Sequence, residues 1–139
     1  MQPLVFITGA SSGIGQALAL RYHQAGWRLA LVARRVPEMQ AWLEAQSIPG
    51  EMAQCYCADV SDTNSIIAAA NECIAEQGAP DVVIANAGIS IGMDTRERDD
   101  LEVLQQVMKT NVMGMAATFH PFLQAMKNRA AQMLSLIHI

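Results

Sequence analysis

An α/β fold built on a parallel sheet follows from three features of this 139-residue chain. Short apolar runs alternate with segments of helical periodicity, strand then helix, along its whole length. The first apolar run ends in a glycine-rich turn that opens a helix. The run Arg28-Leu-Ala-Leu-Val-Ala33 is apolar almost throughout, as a strand covered on both faces must be. Alternation with short loops requires right-handed crossovers and therefore parallel neighbours.

The elements follow in order. Leu4-Val-Phe-Ile7 marks strand one, over residues 3–8, and the turn Thr8-Gly-Ala-Ser-Ser-Gly-Ile-Gly15 leads into a helix over 13–25. That helix carries Ile14, Ala17, Leu18 and Tyr22 at helical spacing, and Gly26 marks its stop. Residues 28–33 are strand two. Pro37 suits the first turn of a second helix, which buries Met39, Trp42 and Leu43. Pro49-Gly50 is a turn and residues 52–58 are strand three. Ser61 or Asp62 caps a third helix carrying Ile66, Ile67, Ala70 and Ile74, and Gly78-Ala-Pro80 breaks it. Asp81–Ala85 is strand four. A loop follows, then a long helix from about 99 to 127. Leu101, Leu104, Met108, Met115, Phe119, Phe122 and Met126 share one stripe of it, and Val112, Met113, Ala116 and Ala117 make its middle apolar nearly all round. Such a helix is buried on both sides, one against the sheet and the other against a partner subunit or more of the same chain. Pro121 should kink it or loosen the preceding turn.

Composition narrows the function. Hydrophobic residues are 52% and charged residues 16%, which suits a globular domain. The net charge of −4 argues against a nucleic-acid footprint, which wants a basic face. No apolar run approaches the roughly 20 residues that span a bilayer, and Met1-Gln2-Pro3 lacks the charged start of a signal peptide. The expectation is a cytoplasmic protein. Cys55, Cys57 and Cys73 are an odd count, suited to a reducing compartment. Cys55 and Cys57 share a strand face without further ligands nearby, so they are expected to be buried small hydrophobes and not a metal site.

Residues 8–15 carry the first chemistry. Backbone N–H groups at a helix start are unpaired, and the helix dipole adds positive charge there, so a phosphate sits well. The spacing G-x-x-x-G-x-G departs from G-x-G-x-x-G, and alone it could be an ordinary strand-to-helix loop. Three further motifs follow in sequence. Asp59-Val60 stands after strand three, Asn86-Ala87-Gly88 after strand four, and Asn111 within Lys109-Thr-Asn-Val-Met-Gly114. Together the four resemble the short-chain dehydrogenase/reductase family over residues 3 to about 130.

The resemblance implies a Rossmann-type doubly wound parallel sheet of spatial order 3-2-1-4. It implies a nicotinamide dinucleotide held by Thr8, Gly9, Ser11, Ser12, Gly13, Ile14 and Gly15. Asp59 and Val60 would lie near the adenine, Asn86, Ala87 and Gly88 would support sheet and cofactor, and Asn111 would be the asparagine of the catalytic tetrad. Each has a plainer reading: Asp59 as a turn residue, Asn86 as a strand end, Asn111 as a polar group satisfied among helices. The cofactor choice rests on Arg34 and Arg35, which follow strand two with no acidic residue before Glu38. An acidic residue there binds a ribose 2′-hydroxyl, whereas arginine accommodates a 2′-phosphate, bidentately. NADP(H) is favoured over NAD(H). The alternative is a solvated surface pair.

The resemblance also implies a serine and a Tyr-x-x-x-Lys on a fifth strand and the helix after it. Tyr22 and Tyr56 are the only tyrosines, and neither has that context. The chain is expected to be truncated before the fifth strand. Leu134–Ile139 looks like one reading frame of a transposon-end adapter used in sequencing libraries. Residues 1–133 are therefore read as the N-terminal part of one dinucleotide-binding domain, and 134–139 as a non-native tail. His138 in that tail takes no function, and His23 and His120 are structural. The parent is expected to be an oxidoreductase moving hydride between nicotinamide and a small carbonyl or alcohol substrate, with this fragment inactive alone. A non-catalytic nucleotide-binding or regulatory module is the alternative.

Overall fold

The computed structural model describes residues 1–127 and 132–135. Its elements are β1 (Leu4–Thr8), α1 (Gly13–Gln24), β2 (Arg28–Ala33), α2 (Val36–Ala45), β3 (Ala53–Cys57), α3 (Thr63–Gln77), β4 (Val82–Ala85), α4 (Asp100–Met108), α5 (Gly114–Met126) and β5 (Gln132–Ser135). The strands form one parallel sheet in the order β3-β2-β1-β4-β5. The expected order 3-2-1-4 is therefore the observed one.

The expected truncation before a fifth strand is corrected. Gln132–Ser135 pairs along β4, from Val82 opposite Gln132 to Ala85 opposite Ser135. Parallel pairing uses backbone groups that every residue but proline carries, so Leu134 and Ser135 extend the ladder whatever their origin. Residues 136–139 of the tail, His138 among them, lie outside the described residues.

Alternation along β1 sets the two faces of the core. Leu4 and Phe6 face α3 and α5, with Val32, Tyr56, Ile66, Cys73, Val83 and Phe122. Val5 and Ile7 face α1 and α2, with Ala19, Leu29, Leu31, Met39, Leu43 and Ile84. Every residue of β1 is buried, as a central strand covered on both faces requires. The Phe6 and Phe122 rings meet edge to face with centroids 4.7 Å apart, pinning α5 to the sheet. Phe6→Ala would cost about 3–5 kcal/mol.

The long helix is interrupted. Between α4 and α5 the backbone forms a π turn over Lys109–Met113, while α5 continues through Pro121. The extra residue rotates one half of the rod against the other by roughly 100°. The expected stripe holds only in its last part: Phe122 and Met126 are buried, but Leu101 and Met108 are exposed, and Val107, Thr110, Asn111, Gly114, Ala117 and Thr118 face inward. The cysteine expectation also needs correction. Cys73 is buried and Cys55 half-buried, but Cys57 is exposed, because β3 is the outer strand of the sheet. Burial pushes the Cys55 thiol up to about 11 and the Cys73 thiol up to about 12. His23 is half-buried and His120 lies exposed on α5.

Candidate functional site

A cleft of about 440 Å³ opens where the strands end and the helices begin. In open α/β sheets ligands bind at that carboxyl edge. The cleft is lined by Gly9, Ser11, Ser12, Gly13, Ile14, Arg34, Asp59, Val60, Asn86, Ala87 and Gly88. Residues separated by up to about 80 positions in sequence thus share one wall, because β1 lies between β2 and β4.

The start of α1 is left open. Its N-cap Ser12 makes no side-chain capping bond, and no acidic residue stands in the first turn. The first helical bond runs from the Gln16 N–H to the Ser12 carbonyl, leaving the N–H groups of Gly13, Ile14 and Gly15 without an acceptor among the described residues. Gly13 has φ +52°, and a Cβ there would meet nothing within 4 Å. That open, left-handed position is a cradle a ligand can enter. Gly15 is needed for another reason: a Cβ would lie 2.1 Å from the Gly9 carbonyl oxygen, so only glycine lets the helix close on the turn.

Thr8 and Gly15 stay behind the cleft wall. The Thr8 Oγ1 accepts from the N–H groups of Asn86 and Ala87 at 3.1 and 3.0 Å. The Asn86 Nδ2 donates to the Gly9 carbonyl at 3.1 Å. These bonds lock the loop after β4 onto the glycine turn, so the two motifs form one rigid floor.

Arg34 and Arg35 part company. Arg34 lines the cleft. Arg35 precedes α2 and pairs with Glu38 at 3.1 Å on the surface, away from the cleft lining. The Asp59 Oδ1 accepts from the Ser61 hydroxyl at 2.7 Å and the Ser61 N–H at 2.9 Å. The Ser61 hydroxyl bond holds the Asp59 carboxyl below its ordinary pKa; burial opposes this, and the Ser61 N–H and the Arg34 and Lys109 charges assist it. Asp59 is therefore a carboxylate. Of the two expected capping residues, Asp62 caps α3, accepting from the Asn64 and Ser65 N–H groups, while Ser61 turns toward Asp59.

Asn111 is buried in the π turn and does not line the cleft. Its Oδ1 accepts from the Ile89 N–H and its Nδ2 donates to the Ile89 carbonyl, both at 2.8 Å. It clamps the loop just past Gly88. Neither tyrosine lines the cleft either. Tyr56 is buried, with its hydroxyl bonded to Glu76 and Gln77, and burial pushes the phenol far above its ordinary pKa. Tyr22 stacks edge to face on Trp27.

Val32, Ala33, Ala58, Ser61, Ile89, Gln106 and Thr110 also line the cleft and were missed in the sequence. The first three stand at or just past strand ends, where the crevice rule could have found them. Gln106 and Thr110 come from a distant helix and carry no local signal. No cluster of three His, Cys, Asp or Glu able to hold a metal occurs among the described residues. No helix among them is long and apolar enough to cross a membrane.

The donor set fits a dinucleotide: free helix-start amides for a pyrophosphate, a glycine without a Cβ where it must approach, and a cation and a carboxylate farther along the same wall. Residues 3–134 match the family model for short chain dehydrogenase. An uncharacterized oxidoreductase of Myxococcus xanthus is 34% identical over 123 residues, covering 88% of this chain and 48% of that protein. Dehydrogenase/reductase SDR family member 7B of Bos taurus is 37% identical over 133 residues, covering 91% and 40%. The chain spans less than half the length of these relatives. Among solved structures, an alcohol dehydrogenase from Thermococcus sibiricus, complexed with 5-hydroxy-NADP, superposes with a TM-score of 0.84 at 26% identity, covering 97% of this chain and 57% of that one.

Proposed function

The chain belongs to the short-chain dehydrogenase family, a family of oxidoreductases, and from that premise we propose that it forms the dinucleotide-binding half of an NADP(H)-dependent enzyme acting on a small carbonyl or alcohol substrate. One observation carries this reading: the uncapped start of α1 and the Arg34 side chain line one cleft. The amides of Gly13 and Ile14, with Ser11 and Ser12 beside them, hold the pyrophosphate. Arg34 takes the 2′-phosphate as a charge-assisted fork. Arg35, held by Glu38, is not needed for it. The ionised Asp59 accepts from the adenine amino group, with Val60 against the ring. Asn86, Ala87 and Gly88, locked to Thr8, form the floor. When bound, the nicotinamide supplies or accepts the hydride. Asn111 acts through Ile89, orienting the loop that borders the reacting end of the cleft.

The acid that completes such a reaction is not Tyr22 or Tyr56. Tyr56 is buried and its hydroxyl is engaged, and Tyr22 packs on Trp27. We place the serine and the Tyr-x-x-x-Lys in the half that the relatives have beyond this segment, so residues 1–139 alone should show no NADPH-linked turnover. The free thiols Cys55, Cys57 and Cys73 favour a reducing compartment such as the cytoplasm.

Cofactor affinity of the full-length protein tests the reading. Arg34→Asp should weaken NADPH at least about tenfold, through the lost charge-assisted bond and added repulsion, and leave NADH nearly unchanged. Equal loss for both cofactors would overturn the role of Arg34.

A further inference from the structure

We infer that Gln106 is a base-recognition residue, its side-chain amide hydrogen-bonding the adenine edge of the dinucleotide alongside Asp59. The inference rests on the dinucleotide reading above and adds a residue that neither the family motifs nor the helical periodicity singles out.

Gln106 lies in α4 and lines the cleft together with Asp59, Val60 and Ser61. Two observations place its stretch of helix beside the Asp59 loop. Gly114 approaches that loop so closely that a Cβ would be 2.7 Å from the Val60 carbonyl oxygen. The charge of Lys109, in the π turn between α4 and Gly114, acts on Asp59. Thr110, one turn before Gly114, and Gln106, one turn earlier still, carry the same helix face into the cleft. Gln106 is exposed to the cleft, and its amide has no hydrogen bond to any described residue.

The chemistry favours the base over the phosphates. A carboxylate can only accept, so Asp59 can recognise the adenine amino group but no ring nitrogen. Its Oδ1 is already engaged by Ser61. An amide offers a donor and an acceptor in one plane, matching the adjacent amino group and ring nitrogen of adenine; this is how glutamine reads adenine bidentately elsewhere. Against a phosphate a neutral amide is a poor substitute for the guanidinium nearby.

The test is binding of three probes to the full-length protein, wild type against Gln106→Leu. The probes are NADPH, NADH and reduced nicotinamide mononucleotide, which lacks the adenosine half. Gln106→Leu should weaken NADPH and NADH by the same factor, roughly three- to tenfold, and leave the mononucleotide and the unfolding temperature unchanged. Gln106→Glu, which adds a second carboxylate beside Asp59, should weaken both dinucleotides further and serves if the leucine variant folds poorly. Unchanged dinucleotide affinity would overturn the inference. So would a loss confined to NADPH, which marks a 2′-phosphate contact, or a loss shared by the mononucleotide, which marks the nicotinamide end. A wild-type protein that binds none of the probes would sink the dinucleotide reading itself, and this inference with it.

Discussion

Two helices begin at the same edge of the sheet and begin differently. At α3 the Asp62 carboxylate accepts from the N–H groups of Asn64 and Ser65, at 3.0 and 3.3 Å. At α1 no described residue does the same: Ser12 makes no capping bond and Gly13 stands over open space. A side-chain cap is worth about 1 kcal/mol. The helix that forgoes it keeps its amides and dipole for a ligand, and the helix that has it is self-sufficient. The same contrast separates the two arginines, Arg35 paired to Glu38 and Arg34 facing the cleft.

The most severe way to break the α1 start is Gly15→Val. The added Cβ would collide with backbone at 2.1 Å, so urea unfolding of the full-length protein should show a loss of about 3 kcal/mol, with dinucleotide binding lost as well. Gly13→Val separates binding from folding. Its site is open and the cost is backbone strain of about 1–2 kcal/mol, so the protein should fold while NADPH affinity falls more than tenfold. A folded Gly13→Val variant that binds normally would contradict the phosphate role of the turn.

Asp62→Ala probes the other helix. It should cost about 1 kcal/mol in stability and leave NADPH affinity unchanged, since Asp62 is outside the cleft lining. A smaller effect is expected at Asp59, whose folded pKa lies below its ordinary value, chiefly through the Ser61 hydroxyl. A depressed carboxyl stabilises the fold above its unfolded pKa, and that contribution is lost as pH falls through the folded value. The stability gap between wild type and Asp59→Asn, measured by denaturant titration, should be full at pH 7 and shrink as pH drops below the ordinary aspartate range. A gap that grows in acid would contradict the sign.

Strand–helix alternation and the positions of β1 to β4 were legible because each rests on local signals: short apolar runs, glycine and proline stops, an aspartate before Thr63. The glycine turn was legible as a motif, but not that Thr8 and Gly15 would work from behind the wall. That depends on β4 lying beside β1, which no local pattern encodes. The inward face of the long helix was legible only at Phe122 and Met126, because a hydrophobic stripe assumes one continuous 3.6-residue period. The π turn at Lys109–Met113 resets that phase, turning Leu101 and Met108 outward and burying Thr110 and Asn111. Small and polar groups are buried there for close approach to Val60 and for the clamp on Ile89, neither of which apolar periodicity registers. The fifth strand carries no catalytic motif to mark it, and its pairing with β4 needs only backbone.

The start of α1 stays uncapped for its ligand if a cap supplied by the chain competes with that ligand. Ser12→Asp tests it most directly, by giving α1 the kind of cap that α3 has. NADPH affinity and urea stability of the full-length protein would be measured together. The variant should be more stable by about 0.5–1 kcal/mol and bind NADPH at least tenfold more weakly, because the carboxylate takes the amides and repels the pyrophosphate. Unchanged NADPH affinity in the stabilised variant would contradict it.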